Sequence, residues 1–259
     1  MIRLVVAVSF LCATIAAHAA QTVVLGISGR PVDAVATHLN RSNALSVEVR
    51  SFADHDALYA ALRDKTIDLA FMGAVRYVQA HHEFGATPLV AEGKATRSVI
   101  VVPSASPIRK LAQLDGKRVA FGYKESTSTY LIPLLMLSKR GLQQEDVNGT
   151  FVGHHPQDLI DQTLGGKFDA CAVTESVYLV NKAKLRVLET SDPFAGPPLV
   201  ARNGFSPALA AEVRRLMSSY EPPAGDPNQR FSEGAVPVTN ADYNRIRFLC
   251  KVVLKQSYL

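Results

Sequence analysis

The chain has no tryptophan, only three cysteines, and no extended run of basic residues. So few cysteines exclude a disulfide-built scaffold. A net charge of +5, from 28 Lys+Arg against 23 Asp+Glu, is modest, and those residues are scattered without aromatic interleaving. A nucleic-acid groove would need both features, so a polyanion partner is excluded and a small anionic ligand is left open. With 16 glycines and 14 prolines in 259 residues, composition is near average, which excludes collagen-like and linker-like chains, and no periodic repeat suggests a solenoid. What is present is a 47% hydrophobic fraction, enough for one or two domains each to bury a core.

The only long apolar stretch lies at the start. Arg3 supplies one positive charge, Leu4 to Ala17 is almost wholly apolar, and Ala17-His18-Ala19 carries small residues at the two positions a signal peptidase reads. Residues 1–19 therefore read as a cleaved secretory signal. The run is shorter than the roughly 20 residues of a spanning helix, and Phe10-Leu11 before Cys12 does not suit lipid attachment. The expected product is soluble and exported to the periplasm, with net charge +4. Its two cysteines, Cys171 and Cys250, sit in largely apolar runs, where buried free thiols are the simpler expectation and a disulfide the alternative.

From Thr22 onward, short apolar runs alternate with helical patterns. Val23–Ile27, Ser46–Arg50 and Ile67–Met72 read as strands, with helices over Val32–Leu39 and Asp54–Arg63 between them. Such alternation predicts βαβ units and a parallel sheet covered on both faces. Ser98–Val102 is a further strand, and Pro103-Ser104-Ala105-Ser106-Pro107 reads as an interdomain crossover, since it can continue neither element. A second set follows: strands Arg118–Gly122, Thr150–Gly153, Phe168–Val173 and Leu185–Leu188, with helices Thr127–Arg140 and Gln157–Leu164. A breaker cluster at Pro193–Pro198 precedes a return strand, Leu199–Ala201, and a helical C-terminal part. Two breakers enclosing one βαβ set predict two lobes: a discontinuous one (20–103 with 198–259) and an inserted one (104–197). A cleft between such lobes can open and close about the crossings.

The most informative stretch is Phe121-Gly122-Tyr123-Lys124-Glu125-Ser126-Thr127-Ser128-Thr129. It follows a strand and opens an apolar helix, so Ser126, Thr127 and Ser128 occupy the cap and first turn. Unpaired N–H groups, the positive end of the helix dipole and hydroxyl donors together suit a tetrahedral oxyanion. An ordinary N-cap would use the same residue types. His154-His155 and Glu175 end the next two strands of the same lobe, where ligand crevices of open α/β sheets lie. Each is either a ligand contact or a loop residue, and Glu175 would equally cap a helix. Arg30 and Arg97 are the cations most simply placed near a cleft, with a solvated face as the alternative. His81-His82 and His154-His155 lack metal-ligand spacing and a Cys/Asp/Glu constellation, so no metal or other cofactor is expected. No Gly-x-Ser-x-Gly elbow or partnered base marks a hydrolase.

The blocks Ile67-Asp68-Leu69-Ala70-Phe71-Met72-Gly73, Arg97-Ser98-Val99-Ile100-Val101-Val102, Leu114-Asp115-Gly116-Lys117-Arg118-Val119-Ala120-Phe121-Gly122, Ser126-Thr127-Ser128 and Gly153-His154-His155 resemble the substrate-binding proteins of phosphate/phosphite/phosphonate ABC transporters. The resemblance runs from about residue 50 to about residue 200. It implies an α/β, two-lobed type II periplasmic binding fold, each lobe a mainly parallel sheet flanked by helices, closing on a small phosphorus oxyanion without covalent chemistry. It also implies that Ser126, Thr127, Ser128 and His155 hold the oxyanion, with His154 in a position the family fills with Ser. First-lobe groups near His55, Gly73 and Thr96 would complete the closed state, and Glu175 would line the rim. Three departures stand out: His55 and Thr96 replace family tyrosines, and Pro197 replaces an aspartate. An aminoalkyl tail on the ligand is disfavoured by them. The expected partner is a membrane permease, the alternative is a sensor kinase, and the protein is expected to be a monomer and not an enzyme.

Overall fold

A computed structural model describes residues 20–93, 96–153, 155–223 and 230–258. The signal-sequence reading of residues 1–19 lies outside the described residues. Seven elements open the chain: β1 (Gln21–Ile27), α1 (Asp33–Leu39), β2 (Leu45–Ser51), α2 (His55–Arg63), β3 (Leu69–Phe71), α3 (Ala74–Phe84) and β4 (Thr87–Glu92). Next come β5 (Ser98–Pro103), β6 (Val119–Phe121), a helical turn over Thr127–Leu131 running into α4 (Ile132–Ser138), β7 (Gly149–Phe151), α5 (Pro156–Leu164), β8 (Ala170–Thr174), α6 (Glu175–Asn181) and β9 (Leu185–Thr190). The chain closes with β10 (Pro198–Ala201), α7 (Pro207–Ser218), β11 (Ala235–Pro237) and α8 (Asn244–Val253).

Two sheets result, in the orders β11-β4-β10-β3-β1-β2 and β7-β6-β8-β5-β9. The βαβ expectation describes half of each. β1 pairs in parallel with β2 and β3, and β6 with β7 and β8. The remaining neighbours are antiparallel: those of β5 and β10 because these strands enter their sheets from the opposite lobe, and β11 because it runs against β4 at the sheet edge. Both sheets are therefore mixed. Ser98–Pro103 belongs to the second sheet, so the chain changes sheets ahead of β5 and not at the expected Pro103–Pro107 segment. Thr96 N–H donates to Phe194 O at 3.0 Å and Phe194 N–H to Thr96 O at 2.9 Å, so the two crossing segments pair with each other. This short antiparallel bridge is the strap between the lobes.

Three apolar clusters hold the molecule. One packs α1 and α7 on the first sheet through Val35, Leu39, Val213 and Met217 against Leu25, Leu69 and Phe71. Another packs α5 on the second through Leu159 and Ile160 against Val99, Val101 and Cys171. The largest joins the lobes: Tyr77 and Val78 of α3, Leu131 and Leu137 at the α4 side, and Ile246 and Leu249 of α8 are buried together. Each such fully buried aliphatic side chain contributes about 1.5–3 kcal/mol, so α8, touching both α3 and α4, fastens the C-terminal segment across the strap. Cys171 and Cys250 are free and buried, and burial pushes both thiols up to about 12. Among the described residues, no helix is long and apolar enough to cross a membrane.

Candidate oxyanion site at two facing helix starts

The turn after β6 depends on a glycine for packing reasons. A Cβ on Gly122 would lie 2.0 Å from Thr129 Oγ1, and Gly122 N–H donates to Thr129 O at 3.2 Å. This close approach folds the helix start back over the strand end. Ser126 caps it: its Oγ accepts from Thr129 N–H at 3.1 Å and from Thr129 Oγ1 at 2.6 Å. The first turn is wide, with Leu131 N–H reaching back five residues to Ser126 O at 3.0 Å. Such π-type turns recur at functional sites, and, as at any helix start, the first N–H groups have no intrahelical acceptor, that of Thr129 being taken by the Ser126 cap. Ser98 Oγ donates to Ser128 O and anchors the turn to β5.

The three hydroxyl residues expected to act together are thus inequivalent. Ser126 and Thr127 are buried and Ser128 is half-buried. Ser126 Oγ is engaged in the cap. Thr127 Oγ1 accepts the Val75 N–H at 3.0 Å, a bond from the first turn of α3 in the other lobe.

That bond sets two helix starts face to face. Gly73 is the N-cap of the eleven-residue α3, and a Cβ placed there would meet Tyr123 Oη at 3.6 Å and Thr127 Oγ1 at 4.0 Å. Both helices direct the positive ends of their dipoles at the space between them, an arrangement that an anion would relieve. Tyr123 closes one side. Burial pushes its hydroxyl up to about 12, opposed by Arg230, Arg76 and a hydrogen bond with Ser126. His55, at the start of α2, lies with its ring 5.0 Å from that of Tyr123, and its Nδ1 is 3.2 Å from Ser28 Oγ. Ser126, Thr127, Ser128, Gly73 and His55 therefore share one region.

The remaining expected site residues make the following contacts. His155 is the exposed N-cap residue of α5 and makes no side-chain cap bond. Glu175 opens α6 with its Oε2 3.9 Å from Arg97 Nε and its side chain 45% exposed, and Thr96 is part of the strap. His154 lies outside the described residues. Sequence reading missed Tyr123, Arg76 and Arg230 as members of the region. Arg76, buried on α3, pairs with Asp56 and lies 3.7 Å from Glu125 Oε2 of the other lobe. Only the short spacing of Tyr123 from Ser126 signalled any of the three. Among the described residues, no group of three or more His, Cys, Asp or Glu side chains could hold a metal ion.

Two α/β lobes strapped by paired crossings define a type II periplasmic binding protein. Residues 30–243 match the family described as the periplasmic substrate-binding protein of the phosphonate ABC transporter, and the chain belongs to that family. It is 25% identical to the phosphate-import protein PhnD of Mycolicibacterium smegmatis over 83% of this chain and 78% of that one. It is 30% identical to a probable phosphite-binding protein, PhnD1, of Prochlorococcus marinus over 53% of this chain and 50% of the other. The structure of PhnD1 from Prochlorococcus marinus with methylphosphonate superposes with a TM-score of 0.75, at 18% identity, over 91% of this chain and 99% of that one.

Proposed function

We propose that this protein is exported through residues 1–19, captures one small tetrahedral oxyanion of the phosphonate, phosphite or phosphate class between its lobes, and delivers it to a membrane permease without chemical turnover. The observation that carries this reading is the Val75–Thr127 bond, which aligns two positively ended helix starts on one small space. In this reading the anion receives N–H groups from both helices and the Ser128 hydroxyl, with the Ser126 hydroxyl and His55 at the margin. Ligand contact with both lobes favours closure, since a ligand shifts a two-state equilibrium only by its differential affinity for the two states. His155, Glu175 and Thr96 would act at the rim and strap. Relatives named for phosphate, phosphite and methylphosphonate support the phosphorus class, and nothing among them favours a sensor role.

Calorimetry of the mature protein with phosphate, phosphite, methylphosphonate, sulfate and arsenate tests this. Saturable one-to-one binding of a phosphorus oxyanion, weakened in Ser126→Ala/Ser128→Ala, is expected. Absence of heat and of melting shifts with all five would overturn it.

A further inference from the structure

Behind the α3 start, the first lobe places two guanidinium groups against one carboxylate. Arg30, in the loop leaving β1, gives Glu92 a two-point bond, with Nη2 2.7 Å from Oε1 and 3.0 Å from Oε2. Glu92 Oε1 also lies 3.3 Å from the Phe231 nitrogen, whose N–H it accepts. Arg230 Nη1 is 3.8 Å from the same oxygen, beyond hydrogen-bond distance. Its guanidinium lies instead over the Phe71 ring, 3.9 Å from the centroid, with only 13% of the side chain exposed.

Phe71 ends β3, two residues before the Gly73 cap of α3. The charge of Arg230 also acts on the Tyr123 hydroxyl, which lies against Gly73. β1, β3 and β4 run the same way, so Arg30 after β1, Phe71 at the end of β3 and Glu92 at the end of β4 place the Arg230 guanidinium at the sheet edge from which Gly73 opens α3. Its burial is unfavourable to the charged form, and a cation over an aromatic ring recovers only part of the lost hydration. A second anionic group entering the cleft would balance it, and an ammonium would be repelled.

We infer that Arg230, backed by the Arg30–Glu92 pair, is a specificity residue that favours small oxyanions carrying a second negative charge on a short tail, such as carboxyl-bearing phosphonates, over those with an ammonium tail. This rests on the oxyanion reading above. It assigns this part of the first-lobe wall a net positive character, with Arg30 and Arg230 set against the one carboxylate of Glu92.

Three probes of one head group separate the possibilities: phosphonoacetate, methylphosphonate and 2-aminoethylphosphonate, titrated calorimetrically into the mature protein. Phosphonoacetate should bind the unmodified protein tighter than 2-aminoethylphosphonate by about tenfold or more, as complementary against like-charge placement dictates. Arg230→Met should lower phosphonoacetate affinity about tenfold more than methylphosphonate affinity, and Arg230→Lys, which keeps the charge, should preserve the order. The unmodified ranking needs no variant to fold. Equal or tighter binding of the amine, or an equal loss of both other ligands in Arg230→Met, would overturn the assignment of Arg230 alone. Failure of all three to bind while phosphate or phosphite still binds would overturn the second-charge assignment alone, and silence of phosphate and phosphite as well would overturn the oxyanion reading itself.

Discussion

The Val75 N–H donates to Thr127 Oγ1 across the two lobes, at 3.0 Å and out of contact with solvent. This one bond ties the first turn of α3 to the first turn of the helix after β6, and it exists only while the lobes are together. Thr127→Val keeps the shape and removes the acceptor, leaving a buried N–H unpaired at a cost of about 1–3 kcal/mol in the closed state. Oxyanion affinity should fall about tenfold or more, with small-angle scattering showing a more extended ligand-free protein. Unchanged affinity and dimensions would show that the bond does not report closure.

Gly122 is fixed by its neighbour and not by its torsion angles. A methyl group there meets Thr129, whose hydroxyl donates to Ser126 Oγ at 2.6 Å, so Gly122→Ala should push Thr129 away and disassemble the cap. Overpacking of this kind costs about 1–3 kcal/mol. A lowered melting temperature together with weaker ligand binding is expected, whereas a loss of stability with intact affinity would separate the cap from the site.

Ser126 and Ser128 should behave differently when changed singly. Ser126→Ala removes a helix cap and should lower stability by about 1 kcal/mol even without ligand. Ser128→Ala touches no side-chain cap, and its effect should fall on affinity, by about 1.5–3 kcal/mol for one hydrogen bond to a charged group. Melting curves with and without ligand distinguish the two patterns.

Acid stability should depend on a surface cluster far from the cleft. Glu212 is held down to about 2 by the Arg215 guanidinium and then by the Ser42 hydroxyl, whereas unfolded it titrates near 4.5. Between those values the unfolded chain binds the extra proton, so stability falls as pH drops through that window. Glu212→Gln should flatten the dependence of the melting temperature on pH between about 4.5 and about 2. An unaltered slope would assign acid sensitivity to other carboxylates.

The pattern of apolar runs was enough to read β1, β3 and most of the second set, because buried parallel strands are nearly continuously apolar, and β2, exposed at its sheet edge, was legible from alternation instead. It did not reveal that β5 joins the second sheet. Strand direction is set by which lobe the chain arrives from, and Val99 to Val102 would look the same in either sheet. Proline and serine at 103–107 signalled a break in structure, but the strap formed at Thr96 and Phe194, where pairing between distant segments decides. At the site, the Ser126–Ser128 turn was legible because cap residues, a preceding strand and a following apolar helix are local. The opposing start of α3 was not, since Ala74 and Val75 contribute backbone N–H groups that no residue type announces. Arg230 was hidden for a similar reason: its position over Phe71 joins residues far apart in the chain.

Amide chemical shifts in the isotopically labelled mature protein, followed during titration with methylphosphonate, test the facing helix starts most directly. The largest saturable changes should fall on Gly73, Ala74, Val75, Thr127 and Ser128 together, from both lobes. Changes confined to one lobe, or centred instead on the cavity of about 350 Å³ lined by Phe194, Val236 and Ile246, would contradict an oxyanion held between α3 and the Ser126–Leu131 turn.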